Sequence, residues 1–208
     1  MKTDSVSDLT RPMLAARSLK ASSILAATLL LSSSHATAGD VAVDGQRGVD
    51  DSALRTITEL DVPRYMGTWF EIANYPNWFQ KKCAGATSAT YAQQSDGTVR
   101  VSNRCRLSSG AMDEAIGTAR QIGPATSPRL QVRFAPAWLS LLPFVWGDYW
   151  VIDLDERYQL VAVSEPKREY LWILARTPRV DPADYKALLG RLTQQGFDIS
   201  KLEVTPQD

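Results

Sequence analysis

Between Gly67 and Arg176 the chain alternates between apolar and polar side chains in short runs. TVRVSNRCRL places Val99, Val101, Asn103, Cys105 and Leu107 on one face and Thr98, Arg100, Ser102, Arg104 and Arg106 on the other. RLQVRF repeats the device, with Leu130, Val132 and Phe134 against Arg129, Gln131 and Arg133. A period of two with one polar face is a strand with one side in water. Turn signals punctuate the runs at Ser95-Asp96-Gly97, Ser108-Ser109-Gly110, Asp155-Glu156-Arg157 and Glu165-Pro166-Lys167. The pattern predicts eight strands, near 67–75, 85–94, 97–106, 112–122, 129–134, 148–154, 158–164 and 169–176. Consecutive strands joined by short turns form an antiparallel meander, and eight can close into a barrel wide enough for one small ligand. An open sandwich is the alternative.

The period then changes. In DPADYKALLGRLTQQG, Asp181 is placed to cap a helix, Pro182 suits its first position and Asp184 completes a capping-box-like pair. Tyr185, Leu188, Leu189 and Leu192 recur at helical spacing and Gly196 stops the run, which predicts one amphipathic helix over 181–195. Its apolar stripe has to lie on the outside of the barrel. Phe197 to Val204 reads as a short last strand or an extended tail.

One stretch fits neither period. From Phe134 to Gly147 there is no charged residue, and Trp138, Leu139, Leu141, Leu142, Phe144, Val145 and Trp146 crowd together. A spanning helix needs roughly 20 apolar residues, so this run is too short. Pro128, Pro136 and Pro143 argue against one regular element.

Composition adds a leader. Lys2, Arg11, Arg17 and Lys20 precede the apolar core Ile24–Leu31, and Ala36-Thr37-Ala38 follows. That is the order of a secretory signal peptide over 1–38, cleaved after Ala38, with an uncleaved anchor as the alternative. No cysteine lies near the site, so N-terminal lipoprotein acylation is not expected. Residues 39–58, rich in Gly and Asp to begin with, are expected to be a flexible segment, and 59–208 the folded domain. Removing four basic and two acidic residues from a chain with 23 of each leaves about two negative charges. The basic residues are scattered along the sequence, so no nucleic-acid footprint is predicted. Export predicts a periplasmic protein, free or held peripherally at the outer membrane.

The only histidine, His35, falls in the leader. The remainder lacks the commonest general base and metal ligand, which argues against Ser-His or Cys-His nucleophiles and His-containing zinc sites, and no metal or cofactor is expected. The two cysteines, Cys83 and Cys105, would meet an oxidising compartment, where a disulfide is expected. Two free buried thiols, or one reactive thiol, are the alternatives.

Three short motifs in order carry a family resemblance. Gly67-Thr68-Trp69 after VPRYM resembles the first lipocalin motif. GDYWVIDLD is similar to the second, with Asp148-Tyr149 as its pair and Ile152 where a second tyrosine stands. LWILARTP resembles the third, and Arg176 is its arginine. With the helix, the likeness covers about Asp61 to Val204, and it points towards the bacterial outer-membrane lipocalins, with apolipoprotein D and plant temperature-induced lipocalins as relatives. It implies an all-β fold: an eight-stranded antiparallel up-and-down barrel with one C-terminal helix packed outside. It also implies that Trp69 plugs the closed base with Arg176 across it, a contact worth about 0.5–2 kcal/mol. Gly67, Trp69, Asp148, Tyr149 and Arg176 are then structural.

In such a meander the loops after the odd strands sit at the open mouth. Trp78 and Phe79, in the first long loop, and Trp138, Leu139, Leu141, Leu142, Phe144 and Trp146, after the fifth strand, would rim it. Either they pack on one another as a lid, or they form an apolar rim that takes up lipid, with loop 136–147 touching a membrane. Alternation nominates Ala89, Tyr91, Val99, Val101, Asn103, Leu130, Val132 and Phe134 as cavity-facing, while the faces around Trp150 stay ambiguous. Lys81 and Lys82 are candidates for an anionic head group. The expected function is binding, storage or transport of a small hydrophobic ligand, a fatty acid or lysophospholipid, without catalysis. Two rivals are a lipid isomerase or synthase using Cys105, whose parity is inward, and a protein-binding inhibitor-type module.

Overall fold

The computed structural model describes residues 53–208; the leader, its cleavage site and most of the 39–58 segment lie outside the described residues. A short helix α1 (Val62–Tyr65) leads into β1 (Gly67–Asn74), and β2 (Cys83–Gln93), β3 (Val99–Leu107), β4 (Met112–Gln121), β5 (Arg129–Arg133), β6 (Gly147–Leu154), β7 (Leu160–Ser164) and β8 (Leu171–Ala175) follow. Each pairs antiparallel with the next, and β1 pairs with both β8 and β2, closing an eight-stranded barrel. Helix α2 (Pro182–Gln194) lies outside, and a two-residue strand β9 (Glu203–Val204) adds to β1. Every expected strand is present, with ends displaced by about two residues where turns take over.

Inside and outside follow from register. Trp69 faces Ala89, which faces Asn103, and Leu130 faces Tyr149, so these residues share the interior. Trp69, Tyr91, Val99, Val101, Leu130, Val161 and Leu174 form the inner core, with Leu60, Val62 and Tyr65 below them. A second core lies between barrel and helix, where Ala73, Ile152, Ala162 and Ile173 meet Leu188, Leu192 and Phe197. This explains the unbroken burial of β7: both of its faces are covered. It also settles the strand around Trp150. Tyr149 and Val151 turn inward, while Trp150 packs with the outer core under the Arg129 guanidinium, 4.5 Å from its ring. Ile152 stands under α2, where an apolar side chain is needed.

Asp181 caps α2 by accepting from the Ala183 and Asp184 amides. Arg191 fixes the helix to the barrel with two hydrogen bonds to the Asp153 carboxylate, 2.6 and 2.9 Å.

One segment differs from expectation, and the tail adds contacts beyond the short last strand expected of it. Residues 53–58, expected within the flexible segment, pack against the barrel: Leu54 is buried and the Ile57 amide donates to Val151 O at 3.1 Å. Two apolar side chains were enough to hold what the preceding Gly and Asp residues suggested would be loose. The tail does more than extend. It enters the gap where β1 and β2 part at the mouth, with Thr205 N donating to Ile72 O at 2.9 Å and Ala86 N to Pro206 O at 2.7 Å. Gly85, at φ +153°, is required here, because a Cβ would come within 2.8 Å of Pro206 O.

Candidate ligand site and rim

The base is closed by a cation over an indole. The Arg176 guanidinium lies 3.9 Å from the Trp69 ring centre and donates to Thr68 O, Arg64 O and Tyr158 O at 3.0, 2.7 and 3.3 Å. Trp69, fully buried, donates from Nε1 to Tyr65 O at 2.9 Å. Gly67 holds φ +94°, and a Cβ there would press on the Arg176 guanidinium at 3.2 Å. Above this floor the hydroxyl of Tyr149 bridges those of Tyr65 and Tyr91, at 2.7 and 3.0 Å. Desolvation by burial pushes the Tyr91 pKa up to about 12 and those of Tyr65 and Tyr149 well above their ordinary value. All three stay neutral at physiological pH, so the floor offers hydrogen bonds and no base.

All eight nominated residues have inward parity, but at different heights. Tyr91, Val99, Val101 and Leu130 belong to the packed core near the base, with Ala89 above Trp69. Higher up the side chains shrink: Asn103 faces Ala89 and Ala115, and Val101 faces Gly117. Phe134 lies over Gly117, where a Cβ would approach its ring within 2.8 Å, and remains 44% exposed at the open end near Val132. The Asn103 Oδ1 is buried without a hydrogen-bond partner.

Nearer the mouth is a cavity of about 480 Å³ between β1, the start of β2, the first loop and the tail. Its buried carboxylate, Glu71, accepts from Asn74 Nδ2, Gln80 Nε2 and Thr205 Oγ1 at 3.1, 2.7 and 2.7 Å. Burial raises the Glu71 pKa above the usual range despite these donors. Gln80 Oε1 in turn accepts from Trp172 Nε1 at 3.0 Å, which ties the first loop to β8. Lys81 lines this cavity, whereas Lys82 is paired with Asp113. Alternation from Trp69 would have put Glu71 inside; the donors from loop and tail have no sequence signal.

The long loop after β5 makes two 3₁₀ turns, Ala137–Leu139 and Pro143–Val145, each started by a proline. Trp138, Leu141 and Phe144 stand 78, 92 and 80% exposed, so the loop does not bury them as a lid. Leu139 and Leu142 are more sheltered. Trp78 is exposed, and Phe79 leans on Tyr170 and Trp172. Trp146 is not a free rim residue. It lies on the outer wall with Arg120 at 4.0 Å and Arg133 at 5.2 Å from its ring, donating to Ser140 O at 2.8 Å. Its parity matches Asp148 and so points outward.

Cys83 and Cys105 are joined in a disulfide across the β2–β3 hairpin, with Cα atoms 5.6 Å apart. That removes the nucleophile the enzymatic rival needed. Among the described residues no cluster of His, Cys, Asp or Glu could hold a metal, and no helix is long and apolar enough to cross a membrane.

A family profile described as a lipocalin-like domain matches residues 60–207. Temperature-induced lipocalin-1 of Arabidopsis thaliana is 41% identical over 156 residues, 74% of this chain and 83% of the plant protein. The outer membrane lipoprotein Blc of Escherichia coli is 34% identical over 167 residues, 80% of this chain and 90% of its own. Among solved structures, the cockroach allergen Per a 4 superposes with a TM-score of 0.57 at 19% identity, covering 74% of this chain and 92% of the allergen.

Proposed function

The chain belongs to the lipocalin family, whose members generally bind small hydrophobic ligands, and from that premise we propose that it stores or carries a fatty acid or lysophospholipid in the cell envelope. The observation that carries this reading is the exposed apolar tip, Trp138, Leu141 and Phe144, on the loop at the open end of a barrel whose inner wall carries the small residues Ala89, Ala115 and Gly117 beside Asn103 and Val101. An acyl chain would run down past Phe134, Val132 and Asn103 towards the core formed by Ala89, Tyr91, Val99, Val101 and Leu130. Each buried methylene contributes about 0.8 kcal/mol before entropy costs. The polar end would stay at the mouth with Lys81 and the amides around Glu71. The unpartnered Asn103 Oδ1 gives the cavity one acceptor for a ligand hydroxyl.

The expected leader, and relatives described as outer membrane lipoproteins, support an envelope location, periplasmic and in peripheral contact with the outer membrane through residues 136–147. Carriage needs no cofactor, and neither the cysteines, which are joined, nor the floor tyrosines, which are neutral, supply a nucleophile or base to the ligand path. Native mass spectrometry with lipid extraction, on protein purified from its own envelope, tests the ligand class. Recovery of one acyl-lipid class at near-stoichiometric amounts is expected, and an interior that never retains lipid refutes it. The rim is tested by Leu141→Ser with Phe144→Ser. Folding should be unchanged, and uptake from vesicles should slow about ten-fold or more, since each side chain gives up about 1.5–3 kcal/mol on entering an apolar phase. Uptake at the parent's rate would reject membrane contact.

A further inference from the structure

The period-two pattern that built β3, β4 and β5 also gathers charge. Scattered in sequence, six arginines fall on one outer wall: Arg100, Arg104 and Arg106 of β3, Arg120 of β4, and Arg129 and Arg133 of β5. Register makes this unambiguous. Arg100 faces Thr118, which faces Arg133; Arg104 faces Glu114; Arg120 faces Gln131. Among the described residues the only acidic side chains on this wall and its β6 border are Glu114 and Asp148, which leaves four positive charges on one face of a chain with no formal net charge. Glu114 accepts from Ser102 and Asp148 from Gln131, and among the described residues none of the six arginines forms an ion pair.

We propose that this wall is a docking surface for anionic phospholipid head groups, which sets the angle at which the barrel mouth meets a bilayer. The inference rests on the rim reading above and adds the lipid chemistry. Trp146 joins the two features. Held against Arg120 and Arg133, it anchors the loop to the wall, so that the loop carrying the exposed Trp138, Leu141 and Phe144 is fastened beside the guanidiniums. An apolar wedge beside exposed guanidiniums is the pattern of an interfacial membrane contact: aromatic and aliphatic groups enter the acyl boundary while cations remain with the phosphates. A soluble polyanion would use the arginines and leave the wedge without a partner. Arg100, Arg104 and Arg129 are exposed and Arg106 is partly so, while Arg133 is buried as part of the joint.

The experiment is vesicle flotation of the mature chain, using phosphatidylcholine alone and phosphatidylcholine mixed with phosphatidylglycerol. A cation near an anionic surface strengthens partition by roughly five-fold, within a Debye length. Binding to the mixed vesicles should exceed binding to neutral ones by about ten-fold or more and should fall with salt. Arg100→Gln with Arg104→Gln removes two of the wall's four net positive charges and should reduce that preference by about five-fold or more, while leaving binding to neutral vesicles and the melting temperature unchanged, because both side chains are exposed and neither touches Trp146. Leu141→Ser with Phe144→Ser should weaken binding to both vesicle types. Equal, salt-insensitive binding of parent and arginine variant to both would overturn the wall and leave the rim standing. No binding to either by the parent would overturn both readings. Preference for DNA or heparin over anionic vesicles would reassign the wall to a soluble polyanion and overturn the proposal.

Discussion

Replacing Arg176 with Met should unfasten the closed end of the barrel. The guanidinium supplies hydrogen bonds to Thr68 O, Arg64 O and Tyr158 O and covers the Trp69 ring at 3.9 Å. Fully buried, three charge-assisted hydrogen bonds would contribute about 1.5–3 kcal/mol each. Arg176 is only partly buried, so water replaces much of what is lost, and the cation–π contact adds about 0.5–2 kcal/mol. A net cost of about 3 kcal/mol is expected, which lowers the melting temperature of a domain this size by about 6–12 °C. Arg176→Lys should recover only part of it, since an ammonium can reach one of the three carbonyls and lacks the planar face. A double-mutant cycle with Trp69→Leu, which removes the aromatic face, isolates the contact between the two residues, and a coupling of about 0.5–2 kcal/mol is expected. Thermal and denaturant unfolding of the five proteins measure these quantities. If Arg176→Met melts within a degree or so of the parent, the base is held by apolar packing alone and the argument fails.

Two further outcomes are expected. Cys83→Ser with Cys105→Ser, which opens a loop with a sequence separation of 22, should cost about 3 kcal/mol in denaturant unfolding, and non-reducing peptide mapping of exported protein should find no free thiol. For Glu71 the sign follows from burial: its folded pKa lies above the unfolded one, so the fold favours the protonated form, and the stability it confers is full in acid and lost as pH rises through the folded value. Relative to Glu71→Gln, which does not titrate, the parent should gain stability between neutral and mildly acidic pH; a difference that is flat with pH, or moves the other way, refutes the burial argument.

The elements that were legible are those whose period depends on one solvated face. β3 and β5 announce themselves because their outer residues are arginines and their inner ones apolar. β7 and the strand around Trp150 hide their facing, because α2 covers the outside and both faces turn apolar. The helix could be read to the residue at Asp181, since capping is local chemistry. The short last strand was legible too, but the insertion beyond it was not: it depends on β1 and β2 parting, and Gly85 alone gives no warning that Pro206 will approach it. Trp146 shows the limit of composition. Grouped by apolarity it belongs to the rim with Trp138 and Phe144, yet parity puts it on the outer wall, where two guanidiniums claim it. The arginines made the same journey in reverse, scattered as sequence and contiguous once three strands lie in register.

That distribution separates stability from uptake along the barrel axis. At the base every polar group is engaged: Trp69 and Arg176 with backbone carbonyls, and the three tyrosine hydroxyls with one another. A ligand reaching that depth would have to break a satisfied network in a low-dielectric interior, which is costly. At the open end the reverse holds. Ala115 and Phe134 are exposed, and among the described residues Asn103 Oδ1 has no partner and Trp138, Leu141 and Phe144 stay largely uncovered. Substitutions near Trp69 should therefore register in melting and those near Leu141 in transfer, with little exchange between the two. The exception is the Glu71 cluster, which joins loop, tail and β1 at the mouth. A change in protonation there would be felt by both the fold and the entrance.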